Sequence, residues 1–130
     1  MRAASPGLST YVIGKPAPGG ALRIATVRLP PRGVKKEKHA ELFDVWLPLL
    51  APSRALLSWW RNGEPSAARF RDFTARYHRE MAAPEPRQAF DLLAAAARRT
   101  PIAIGCYCDR PQCHRFLLER LIGDAAAHRR

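Results

Sequence analysis

Residues 101–123 read PIAIGCYCDRPQCHRFLLERLIG, and between Cys106 and Arg115 they crowd three cysteines, a histidine and two arginines. The opening PIAIGCY is uncharged and bounded by Pro101, which predicts a strand covered on both faces and ending near Tyr107. The closing CHRFLLERLIG predicts a helix with Leu117, Leu118, Leu121 and Ile122 inward and Gly123 as its C-cap. A strand that passes straight into a helix is the unit of a parallel α/β sheet.

Working outward, Leu8–Ile13 and Leu22–Leu29 are short, β-branched runs separated by the turn-rich GKPAPGGA, and both predict strands. PPRGVKKEK then breaks the sheet, because Pro30 and Pro31 have no ladder donors and Gly33 permits a sharp turn. LFDVWLPLLAP, apolar with two prolines, predicts irregular chain or a short helix under the core. Ser53 is the expected N-cap of a helix that stops at Asn62-Gly63, and Pro65-Ser66 opens the next. In that helix Phe70, Phe73, Tyr77 and Met81 recur as a core-facing stripe, with Arg69, Arg71, Arg76 and Arg79 on a solvated face. Pro86 suits the first turn of a further helix, whose Phe90, Leu93 and Ala97 share one side and whose end is favoured by Arg98 and Arg99.

This order predicts an α/β fold: a single layered domain with a mixed or mostly parallel small sheet flanked by helices. The expected limits are a flexible N-terminal tail over residues 1–7, the domain over 8–123 and a frayed basic tail over 124–130.

A chain of 130 residues with 47% hydrophobic residues can bury one core without staples. Three cysteines within eight positions are no secreted disulfide framework, so all are expected reduced. The first fourteen residues lack the apolar core of a signal peptide, and no window approaches a membrane span, so the expected location is cytoplasmic. Lys and Arg number 22 against 11 acids, a net charge of +11 that draws phosphate-bearing ligands, nucleotides or nucleic acid.

Three chemistries fit the cysteine-rich turn. In the first, unpaired N–H groups at the start of the last helix, with Arg110 and Arg115, cradle a phosphate. In the second, Cys106, Cys108, Cys113 and His114 hold zinc or iron, although the C-x-C-x4-C-H spacing lacks the usual two-residue knuckle. In the third, Cys113 or Cys108 is a reactive thiol activated by the helix terminus and nearby cations. A phosphatase loop is absent, since the sixth residue after Cys106 is Gln112 and after Cys108 is His114. An inert buried set, with His114 as a helix cap and Asp109 in an Asx-turn, is the structural alternative.

RIATVRLPPRGVKK, DVWLPLLAPS and YCDRPQCHRFLLERL together resemble the domain-of-unknown-function 488 family, the YeaO-like bacterial proteins. The likeness extends from about Leu8 to Ile122 and implies a small cytoplasmic α/β protein of unassigned activity. A similar Cys-x-Cys and Cys-His turn occurs in another small family linked to ADP-ribose metabolism, an analogy for nucleotide handling.

If the strands ending at Leu29 and Tyr107 are parallel, their loops share one edge. Arg28, Arg32 and Lys35 then join Arg110 and Arg115 as phosphate ligands beside His114. The leading expectation is therefore a cationic pocket for a nucleotide or nucleic-acid end, with no resident cofactor. His114 and Cys113 are its candidate catalytic groups, Asp44 or Asp109 orients the imidazole, and hydrolysis is the reaction such a set supports. The alternatives are a non-enzymatic nucleic-acid-binding module and a small Cys/His metal-binding protein.

Overall fold

The computed structural model describes residues 7–128. Strands β1 (Leu8–Val12), β2 (Leu22–Ala25), β3 (Val45–Trp46) and β4 (Ile102–Cys106) form one sheet in the order β1-β4-β2-β3. Every pairing is parallel, so the mixed-or-parallel expectation resolves to a wholly parallel four-stranded sheet. Ile102 pairs with Leu8 on one side and Leu22 on the other, placing β4 inside the sheet. All five β4 residues are buried, which explains its lack of charge.

Residues 13–21 join β1 to β2 without a helix, although the two strands run in the same direction with β4 between them. Gly14 (φ 100°) and Gly20 (φ 76°) turn the chain near either end of this crossover. Ala17 and Ala21 lie against the sheet, in a cluster with Tyr11, Val27 and Phe43. That face is covered thinly, by loops. Tyr11 packs its ring there and donates its hydroxyl to the Leu42 carbonyl at 2.9 Å, and burial pushes its pKa up to about 12.

Among the described residues four α-helices, α1 (Arg54–Arg61), α2 (Ala67–Met81), α3 (Pro84–Ala97) and α4 (His114–His128), accompany the sheet. Ser53 caps α1 by accepting from the Leu56 N–H at 3.1 Å, and Ser66 caps α2 by accepting from Arg69 at 3.0 Å, as the sequence predicts. Glu80 near the end of α2 accepts from both the backbone and the hydroxyl of Ser53, clamping α1 to α2. Phe73, Tyr77 and Met81 are buried with Ile24, Ile104 and Leu118 in the main core, which confirms the aromatic stripe as a packing face.

Four local expectations are corrected. LFDVWLPLLAP contains strand β3 and a 3₁₀ turn at Pro48–Leu50. A two-residue edge strand with both side chains exposed leaves no readable period, and its ladder rests on Asp44 N–H to Arg23 and Leu47 N–H to Ala25, each 2.8 Å. The second strand ends at Ala25, well before Leu29, although Thr26 still donates to the Gly105 carbonyl at 3.0 Å. Gly123 does not cap α4, because it is not among the glycines with positive φ and the helix continues through it to His128. Residues 124–128 are thus helical; the expected tails at 1–6 and 129–130 lie outside the described residues.

A Cβ added at Gly105 would lie 2.5 Å from Cε1 of Tyr11, whose ring is anchored by its hydroxyl bond. Gly105→Ala should therefore lower stability by about 1–3 kcal/mol. Urea unfolding measures this, and an unchanged midpoint would mean that the ring yields freely.

Candidate functional site

Because β2 and β4 are parallel, the chains leaving them emerge on the same edge of the sheet. Thr26–Leu29 departs from β2, and residues 107–113 lead from β4 into α4. Between these segments and α1 lies a cavity of about 330 Å³. Arg28, Arg61 and Arg110 line it together with Trp60 and Tyr107, and Cys106, Cys113 and His114 form part of the same wall.

His114 is buried in the first turn of α4, and its Nε2 lies 2.8 Å from the Thr26 carbonyl oxygen. A carbonyl only accepts, so Nε2 carries the proton. The Thr26 hydroxyl donates to the Gly105 carbonyl at 3.1 Å, leaving its oxygen, 3.2 Å from Nε2, as a further acceptor. In the neutral ring the remaining lone pair is therefore at Nδ1. The Tyr77 ring packs edge-on at 5.6 Å and holds the imidazole plane.

Neither aspartate expected to orient this histidine does so. Asp44 pairs with Arg23 at 3.1 Å, and the guanidinium holds its carboxyl below the usual range. Asp109 is exposed and 3.9 Å from the Lys15 ammonium. The orienting group is Thr26, a buried polar residue at a strand end that no sequence motif singles out.

Cys106, Cys108 and Cys113 are all free thiols. The sulfurs of Cys106 and Cys113 and a ring nitrogen of His114 all lie within 4.8 Å of one another. The Cys113 thiol hydrogen-bonds to Cys106, which pushes Cys113 up to about 12 and lowers Cys106. Cys106 is therefore the more acidic thiol of the pair, and Arg115 reinforces this. Cys108, half-buried in the wall of the same cavity, is raised by desolvation and by its hydrogen bond with the Cys113 thiol, and its sulfur accepts the Arg110 N–H at 3.4 Å.

The expected phosphate ligands divide into groups. Arg110 is exposed and lines the cavity. Arg28 lines it too, but donates to the Ala51 and Pro52 carbonyls at 3.0 and 3.2 Å. Arg32 lines an adjoining cavity, whose wall shares Leu29, Arg61 and Tyr107 with the first. Lys35 lines neither; it precedes the 3₁₀ turn Lys36–Glu41. Arg115 also lines neither, being 6% exposed, donating to the Cys108 carbonyl and stacking 4.3 Å over Phe116. Arg61, Trp60 and Tyr107 are site residues that the sequence reading passes over; the Trp-Trp-Arg end of α1 was the available signal.

The Arg115 guanidinium thus braces the cysteine turn from behind. Arg115→Ala should lower unfolding stability by about 1–3 kcal/mol, through the stranded Cys108 carbonyl and the lost packing. Arg110→Ala, exposed, should stay within about 0.5 kcal/mol of wild type. Thermal or urea unfolding of the two variants checks the contrast, and equal stabilities would show that the brace contributes nothing.

A family model described as DUF488-N3a, active DUF488-N3 subclade, matches residues 8–126. No curated protein and no solved structure matches the chain.

Proposed function

The chain belongs to the DUF488 family, and on that premise we propose that the cavity at the carboxyl edge of its sheet binds a nucleotide, with the phosphate held by arginines and the base against aromatic rings. The observation that carries this reading is the joint presence of Arg28, Arg61 and Arg110 with Trp60 and Tyr107 in one concave wall. Guanidinium groups pair with phosphate through charge-assisted, often bidentate hydrogen bonds, and any base can stack on an aromatic face. A volume of about 330 Å³ falls at the small end of ordinary ligand sites, which run from roughly 300 to 1,000 Å³. The adjoining cavity, with Arg32, extends the cationic surface beyond the shared Arg61 and suits a second phosphate or the continuing strand of a nucleic-acid end.

His114, Cys106 and Cys113 line the same cavity and are the reactive groups that this reading assigns to the bound ligand. The matching subclade is described as active, which agrees with a wall carrying an oriented imidazole and an acidified thiol. Turnover of the bound nucleotide, hydrolysis included, is part of this proposal.

The test is titration of the protein with nucleoside 5′-monophosphates, followed by tryptophan fluorescence. Saturable binding is expected. Arg61→Ala and Arg110→Ala should each weaken it by about 1.5–3 kcal/mol, roughly 10- to 150-fold, with unfolding midpoints near wild type. Unchanged affinity in both variants refutes the pocket. Binding of polynucleotide alone, falling steeply with salt, favours an open nucleic-acid-binding face instead.

A further inference from the structure

The trio of Cys106, Cys113 and His114 has a geometry that phosphate recognition does not require. We propose that these three side chains form a binding site for a zinc-class divalent ion, with a fourth coordination position open to the cavity. The inference concerns only these side chains and is independent of the nucleotide reading.

Three observations carry it. First, the candidate ligand atoms lie within 4.8 Å of one another. Around a tetrahedral zinc, with bonds of roughly 2.0–2.3 Å, such atoms sit about 3.5–3.8 Å apart, so each pair closes by no more than about 1.3 Å on loading. Two sulfurs and an imidazole are also the donor set that zinc prefers.

Second, His114 has the outer hydrogen bond of a metal ligand. Histidines that bind metals donate their other ring N–H to a carbonyl or carboxylate, which fixes the tautomer and aims the lone pair. Here Nε2 donates to the Thr26 carbonyl at 2.8 Å, Thr26 is itself tied to Gly105, and Nδ1 is left with the lone pair. A buried histidine serving only as packing needs a partner for one nitrogen; this one also has a ring nitrogen within 4.8 Å of two sulfurs.

Third, all three residues line the cavity; Cys108 lines it too but falls outside the group within 4.8 Å. Three protein ligands with an open position is the arrangement of catalytic zinc sites, whereas structural sites close with a fourth. Cys106 ends β4 and His114 begins α4, while Cys113 is the last residue of the turn, directly before the helix, so two ligands rest on regular elements and the third adjoins one. The spacing C-x6-C-H is too wide for a zinc knuckle, but strand and helix geometry brings its ends together.

The experiment is Co2+ titration of protein freed of metal by chelator under reducing conditions, with retained fold verified by circular dichroism and no nucleotide present. The expected result is saturation at one ion per chain, with thiolate charge-transfer bands and tetrahedral visible bands, both removed on adding Zn2+. Cys106→Ser and Cys113→Ser should each cut the charge-transfer intensity and weaken affinity beyond the roughly 10- to 100-fold cost of losing an outer hydrogen bond. Cys108→Ser should leave the spectrum and stoichiometry unchanged; loss of binding there would reveal a closed four-ligand centre and overturn the open position. Folded wild-type protein that takes up no ion, or that gives an octahedral spectrum without thiolate bands, overturns the site even if the serine variants fail to fold.

Discussion

With hydrogen-bonded neighbours on both sides, β4 has no free edge, and the burial of all its residues excludes charge from the whole strand. Both neighbours run parallel to it, so the three chains leave the sheet on one side. The ladder also continues beyond the strands proper: Ile13 donates to the Cys106 carbonyl at 2.9 Å and Thr26 to the Gly105 carbonyl at 3.0 Å. These bonds hold the ends of β1 and β2 beside the cysteine turn. A site made from residues as distant in sequence as Thr26 and His114 follows from this placement.

The link between the imidazole and the end of β2 couples the start of α4 to the register of the sheet. Both partners are buried, so each polar atom must find its hydrogen bond within the protein. The chain from His114 Nε2 through the Thr26 hydroxyl to the Gly105 carbonyl meets this need. It also fixes which ring nitrogen keeps the lone pair. The small side of Gly105 has a second use, since the Tyr11 ring occupies the space that any larger residue would need.

A net charge of +11 suggests a uniform cationic surface, yet several arginines are engaged by the fold itself. Arg23 donates to the carbonyls of Ala40 and Glu41 as well as to Asp44, and Arg28 and Arg115 also bind backbone carbonyls. Arg69, expected on a solvated face, donates to the Trp59 carbonyl and lies 3.9 Å over the Trp59 ring, with Arg76 at 4.4 Å. Guanidinium groups suit this work because they offer several donors and stack on aromatic faces. The cavities retain Arg61, Arg110 and Arg32, so the charge available to a ligand is more localised than composition implies.

Local pattern determined the α/β class, the caps at Ser53 and Ser66, the buried stripe of α2 and the uncharged central strand, because each depends on neighbours within a few positions. The family resemblance was likewise legible in the Pro-Arg-Gly and Cys-His-Arg segments. The two-residue strand β3, the helical continuation through Gly123 and the inward turn of Arg115 were not, since their states are set by contacts with distant chain. The same holds for the roles of Thr26 and Arg61, which have no chemistry of their own in isolation and acquire it from what lies across the cavity. Sequence spacing determined which reactive side chains are present; only the packing of α4 on β1 and β4, with His114 bonded to Thr26 just past β2, decided which of them meet, because hydrogen-bond geometry, burial and charge act through space rather than along the chain.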